Sequence, residues 1–164
     1  MDDHEIRARQ EILDLISEYT ISNDRAEWDR MDRIWADDAV LRVPGVGDGR
    51  YDGRDAIMSR YRVRAARTLR SDSAGAEGKP DMTVSRHHLT STRITMTDAA
   101  RAEGVTYYVV VTDAGYDHSG TYEDTFVLVD GRWLIAERVI LVEHVGADSY
   151  YGFLRAAAAA NTAG

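Results

Sequence analysis

Apolar residues recur at Ile12, Leu15, Ile16 and Tyr19, a spacing of three and four that turns one face of a helix toward a core. Asp2 followed by Glu5 reads as a capping box at the start of that helix, expected over about residues 3–22. Asp24 followed by Glu27 has the same form and predicts a second, short helix carrying Trp28, Met31, Ile34 and Trp35. Ala39–Val43 predicts a short strand stopped by Pro44, and Gly45–Gly49 predicts a turn. A third helix is expected from Gly53-Arg54-Asp55 to about Thr68, with Ile57, Met58 and Tyr61 inward. Residues 70–81 read as a loop.

Past residue 83 the pattern changes. His88–Met96, Glu103–Thr112, Gly120–Val129 and Trp133–Val145 are rich in Val, Ile, Thr and Tyr, and each predicts a strand. Asp130-Gly131 between the last two is a hairpin turn signal. Helices first and long strands afterwards predict an α+β domain: helices packed on one face of a curved, mostly antiparallel sheet, bent into a cone with a cavity inside. One domain over residues 1–147 and a tail over 148–164 account for the chain, the tail's alanine run being either a short helix or frayed.

Composition narrows the chemistry. The chain holds no cysteine, which excludes disulfides, thiolate metal sites and thiol nucleophiles. Its formal net charge of −8 repels phosphate backbones, so no nucleic-acid partner is expected. No stretch is long and apolar enough to span a membrane, and the charged, helix-patterned N-terminus is unlike a signal peptide. The expected compartment is the cytoplasm. Lys79 is the single lysine and sits beside Gly78 and Pro80, a poor place to desolvate an amine for Schiff-base chemistry. His87 and His88 are strand neighbours that point to opposite faces and cannot share one ion, and no HxH or HExxH spacing occurs, so no metal is expected. The Gly45–Gly49 segment lacks the lysine and the strand-to-helix context of a phosphate loop.

Strict alternation puts His88, Thr90, Thr92, Ile94 and Met96 on one face of their strand and His87, Leu89, Ser91 and Arg93 on the other. The first row, polar at its start and apolar later, suits a cavity that closes into a core. His88 is then a candidate base near neutral pH, or a structural histidine. Asp24 is a candidate partner, or simply a helix N-cap. Tyr19 serves equally as a core tyrosine or as a hydrogen-bond donor in the pocket. Trp35, Tyr107 and Tyr122 are candidate pocket walls and His144 a rim or pocket residue. Arg42 and Arg93 are candidates for an anionic group, or solvated arginines.

The stretches EILDLISEYTISNDRAEWDRMDRIWADDAVL, SRHHLTSTRI and GTYEDTFVLVDGRWLIAERV resemble the SnoaL-like family of the nuclear transport factor 2-like superfamily, over roughly residues 5–147. The resemblance implies the cone fold. The catalytic relatives it brings in are scytalone dehydratase, bile acid 7α-dehydratase and hexachlorocyclohexane dehydrochlorinase. These are similar in using an Asp just after the first helix and a His early in the sheet, matching Asp24 and His88 here; Tyr19 matches a tyrosine of the bile acid enzyme. A second pocket histidine of scytalone dehydratase would fall near Thr112 and is missing there.

The function implied is a lyase without cofactor, carrying out dehydratase-type elimination on a hydrophobic small molecule by Asp–His acid–base catalysis. Alternatives are a polyketide cyclase or isomerase, and a non-catalytic ligand-binding subunit like the β subunits of ring-hydroxylating dioxygenases. A homo-oligomer, dimer or trimer, is expected, with Val110, Val127, Val139 and Leu141 among candidates for an outer sheet face.

Overall fold

The structure, a computed structural model, describes residues 2–45, 49–69, 84–153 and 155–156. The first helix, α1 (Asp3–Arg25), buries Ala8, Ile12, Leu15, Ile16 and Tyr19 along one stripe. Its start is capped as expected, with the Asp2 carboxylate accepting the Glu5 N–H at 2.8 Å. Its end is not where the sequence places it. Helix α1 runs on through Asp24, which is therefore a residue of its last turn and not the cap of the next helix. Ala26 closes α1 in the left-handed conformation, φ 55°, with its N–H on the carbonyls of Ser22 and Asn23. The short α2 (Trp28–Asp32) follows, and its N-cap, Glu27, makes no side-chain cap bond.

Strand β1 (Trp35–Arg42) begins earlier than expected and includes Trp35. It pairs with the three-residue β2 (Arg50–Asp52), which the alternation of apolar residues does not announce. Helix α3 (Arg54–Leu69) turns Ile57, Met58 and Tyr61 into the core. Four long strands complete the fold: β3 (Ser85–Asp98), β4 (Arg101–Thr112), β5 (Gly115–Val129) and β6 (Arg132–Val145). Each starts before the apolar run that betrays it, because the first residues of a hairpin pair regardless of side chain. The expected loop over 70–81, with Lys79, lies outside the described residues, as do residues 46–48 of the glycine-rich turn.

The six strands form one sheet in the order β2-β1-β6-β5-β4-β3, antiparallel throughout except where β1 runs parallel to β6. Asp130 and Gly131 join β5 to β6 with φ of 49° and 74°, and Val129 pairs with Arg132, which makes a two-residue turn of the type that suits the twist of a hairpin. The core lies between the helices and one face of the sheet, where Trp35, Leu41, Tyr108, Tyr122, Phe126 and Ile135 are buried against Ile12, Ile16 and Tyr19. Val110 belongs to this inner face, 2% exposed, and is not an outer-face residue as expected.

Irregularities in the ladders matter more here than the ladders themselves. Leu89 pairs with Tyr108 but Thr92 with Thr106, so β3 carries one extra residue between them. His118 pairs with Val110 but Tyr116 with Val111, which leaves Asp117 as the extra residue of β5. Phe126 pairs with Ile135 but Thr125 with Glu137, which leaves Ala136 as the extra residue of β6. Each bulge reverses which residue numbers face inward on its far side.

Ala26 is exposed and pays the cost of left-handed backbone for a residue with a Cβ. Ala26→Gly is expected to stabilise the fold by about 1 kcal/mol, read as a higher urea midpoint at unchanged slope.

Candidate functional site

The bulge in β3 decides which histidine meets Asp24. Inward residues of β4 are even-numbered, from Ala102 to Thr112, and β3 pairs Ser85, His87 and Leu89 with three of them. On the other side of the bulge the inward set is Thr92, Ile94 and Met96. Extending Ile94 and Met96 backward by twos lands on His88, but the extra residue shifts the inward position to His87. His88 is exposed on the outer face, opposite Val109, so the expected Asp24–His88 pair does not exist. The geometry pairs Asp24 with His87 instead.

That pair is closely held. Asp24 Oδ1 lies 2.6 Å from His87 Nδ1, and Oδ2 accepts the His87 backbone N–H at 2.9 Å. The side chains are 7% and 9% exposed. An ionised carboxylate can only accept, so it places a proton on Nδ1 and leaves Nε2 as the nitrogen able to take one up. Asp24 is not spent on capping a helix, and both its oxygens serve the histidine.

A second buried polar cluster forms the floor. Arg138 on β6 and Asp124 on β5 are opposite one another, bonded twice at 2.6 and 2.7 Å, and both side chains are fully buried. Burial works against the Arg138 charge, but the Asp124 carboxylate outweighs it and holds the guanidinium well above its ordinary value. The guanidinium lies under the rings of Tyr19, 3.9 Å, and Tyr122, 4.5 Å. Its Nη1 has no hydrogen-bond partner among the described residues. Tyr19 donates to or accepts from the Tyr61 hydroxyl at 2.7 Å and packs edge-on against Trp35 and Tyr122. Burial pushes the Tyr61 and Tyr122 phenols well up, so both remain neutral donors. Tyr122 stacks on Tyr108 at 4.3 Å, and Tyr108 faces the His87 ring at 6.3 Å. Tyr19 therefore reaches the Asp24–His87 pair through two intervening aromatic rings, not by contact.

Trp35 and Tyr122 thus join Tyr19 on the inner wall. Arg42, Tyr107 and His144 do not. Arg42 is ion-paired with Glu137 on the outer face at 2.7 Å, Tyr107 is 53% exposed there, and His144 is exposed beside Ser119. Three inward groups have no counterpart among the sequence candidates: His87, the Asp124–Arg138 pair, and Asp117 with His118. The hairpin register offered a hint for one of them. Counting back from Asp130-Gly131 in steps puts Asp124 across from Glu137, and only the bulge at Ala136 replaces that repelling neighbour with Arg138. Among the described residues no group of His, Asp and Glu has the arrangement to hold a metal ion.

The sequence profile of the SnoaL-like domain matches residues 4–139. The chain belongs to that family. No curated protein matches the sequence. Among solved structures it is similar to a protein of unknown function from Mycobacterium tuberculosis, with TM-score 0.72, 20% identity, and 97% of this chain and 92% of that one covered. It is also similar to the hexachlorocyclohexane dehydrochlorinase LinA-type3 from Novosphingobium barchaimii LL02, with TM-score 0.68, 19% identity, and coverage of 89% and 93%. A proposed scytalone dehydratase from Novosphingobium aromaticivorans superposes with TM-score 0.66 at 18% identity, covering 89% and 91%. At these identities the likeness establishes the shared fold of this SnoaL-like chain. No helix among the described residues is long and apolar enough to cross a membrane.

Two measurements probe the buried pairs. Asp124→Ala strands the Arg138 charge in the core and is expected to cost about 3–5 kcal/mol by urea denaturation, most of it recovered when Arg138→Met is added. Asp117 contributes to the acid dependence of stability. Burial alone would raise its pKa, but the His118 imidazole and the Tyr150 and Tyr151 N–H groups outweigh it and hold it below the ordinary value. A depressed folded value means stability that is complete above the ordinary carboxylate value of about 4 and is lost as pH falls through the folded one. The wild type should weaken in that acid range, and Asp117→Asn should show a flatter stability profile across it.

Proposed function

We propose that this protein is a lyase working without a cofactor, which eliminates a leaving group from a hydrophobic small molecule in a dehydratase-type reaction. The observation that carries the reading is the Asp24–His87 contact of 2.6 Å on the inner face of the sheet, beside apolar and aromatic walls. His87 Nε2 removes a proton from carbon. Asp24 holds the imidazole in the required tautomer and offsets the positive charge as it forms. A positioned base of this kind contributes about 10²–10⁴-fold in rate. Tyr19 and Tyr61 share one hydrogen bond two aromatic rings away from His87, so the donor role expected for Tyr19 has no part in this step. Two of the structural neighbours carry names from elimination chemistry, a dehydrochlorinase and a proposed scytalone dehydratase, which favours elimination over cyclisation or isomerisation with the same base.

The test uses nitrobenzisoxazole, whose ring opens when a base removes its single acidic C–H. His87→Ala is expected to lower kcat/KM by about 10²–10⁴-fold. Asp24→Asn should lower it severely too, because the tautomer and the forming cation lose their partner. His88→Ala should leave it unchanged. Equal rates for wild type and His87→Ala would defeat the assignment of the base.

A further inference from the structure

The arginines with described side chains that are at least half-buried are Arg9, Arg54, Arg60 and Arg138. Three of them face a carboxylate: Arg9 that of Glu5 at 2.8 Å, Arg54 that of Asp37 at 2.8 Å, and Arg138 that of Asp124 at 2.6 Å. Arg60, on α3, lies instead over two rings, 5.2 Å from the centre of Tyr51 on β2 and 5.1 Å from that of Tyr61, its neighbour in the chain. Ring faces attract a cation, but they leave the N–H groups at the edge of the guanidinium to find acceptors elsewhere. The Arg60 Nη1 is buried and has no hydrogen-bond partner among the described residues.

Burial works against the Arg60 charge, and the groups that favour it are the phenols of Tyr61, Tyr19 and Tyr51. A phenol becomes an anion only near pH 10, and burial pushes Tyr61 well above that. At neutral pH, therefore, no anion among the described residues answers this guanidinium. The surrounding cluster has the same imbalance. The hydroxyl-bonded pair Tyr19 and Tyr61 has Arg138 on the Tyr19 ring and Arg60 on the Tyr61 ring. Asp124 is the one carboxylate bonded to either arginine among the described residues. The buried side-chain atoms left without a partner there are Trp35 Nε1, Arg60 Nη1 and Arg138 Nη1, and each is a donor. The cluster lacks one negative charge and the acceptors that come with it.

Its outer end is open. Tyr61, Tyr19 and Trp35 are buried, whereas Arg60, Tyr51 and Trp28 are half-buried where α2, β2 and α3 meet. Trp28 stacks on Tyr61 at 6.4 Å and adds a flat apolar wall beside the guanidinium. We propose that Arg60 is the receptor for the carboxylate of a monoanionic aromatic acid, which enters at this rim and lays its ring among Trp28, Tyr51 and Tyr61. The planar guanidinium edge matches the two oxygens of a carboxylate. One negative charge balances the surplus, and the aromatic walls take a flat apolar body. The proposal does not depend on whether His87 acts as a base.

The test compares 3-phenylpropanoate with its neutral amide, 3-phenylpropanamide, which has the same shape without the charge. In calorimetric titrations of the full chain the acid is expected to bind about 10–100-fold more tightly than the amide. Acetate, which has no ring, should bind far more weakly than the acid. Arg60→Gln should erase the advantage of the acid and leave the affinity for the amide unchanged. Arg60→Lys keeps the charge but not the planar fork, and should retain only part of that advantage. The acid should also raise the urea midpoint of the wild type and not that of Arg60→Gln. Equal affinity for acid and amide, an advantage that survives Arg60→Gln, acetate binding as tightly as the acid, or no binding of the acid would each overturn the proposal. None of these outcomes bears on the benzisoxazole reaction, which tests His87 separately. Where Arg60→Gln does not fold, the Arg60 Nε–H resonance of the wild type is followed by NMR. A shift with the acid and not with the amide supports the site, and no shift with the acid overturns it.

Discussion

The structure is organised around a charge that has no water to lean on. Arg138 and Asp124 are fully buried, and each is tolerable only because the other is opposite it. Their pairing pins the register of β5 against β6 at the middle of the sheet, where a slip by one residue would bring Glu137 against Asp124. It also sets the aromatic wall. Tyr19 and Tyr122 lie over the guanidinium, Tyr108 stacks on Tyr122, and both histidines look onto Tyr108. The polar floor thus determines where the apolar lining of the site can be.

Around that floor the parts divide their work. Helix α1 supplies a core stripe in its middle and, by running one turn further than expected, delivers Asp24 to the edge of β3. Helix α3 supplies Tyr61 as hydroxyl partner to Tyr19. The segment after β6 closes back on β5 through Asp117, so the chain that leaves the sheet is tied to the face that carries the histidines. Tyr108 is fixed from behind as well: its hydroxyl donates to the Leu141 carbonyl at 3.1 Å, and Gly120, its partner on β5, leaves the space, since a Cβ there would land on that same carbonyl.

The membership in the SnoaL-like family and the physical reading meet at Asp24. Its place at the end of the first helix is visible in the chain, and its pairing with a histidine from β3 is what the fold adds. The outer face of the sheet is different in character: Arg42, Glu137, Glu103 and Glu123 surround Val105 and Val139 there, a mixed surface with none of the enclosed aromatic packing of the inner face.

Period and turn chemistry alone determined the helices, the four long strands, the hairpin at Asp130-Gly131 and the α+β class, because these follow from local propensity and from the side of each element that is apolar. They also pointed to Tyr19 and Tyr122, whose positions rest on helix phase or on a stretch of strand without interruption, whereas Asp24 was singled out by the family resemblance and Trp35 was expected on a helix and lies in β1. What only the tertiary structure decided was the inward face beyond each bulge. A period of two has no memory of an inserted residue, and one such residue exchanges the two faces of a strand. That exchange put His87 in the place expected for His88, turned Asp117 to the side of His118, and brought Arg138 opposite Asp124. The insertions occur where strands must bend to wrap a curved sheet over the helices, a requirement of the whole assembly that no single segment records.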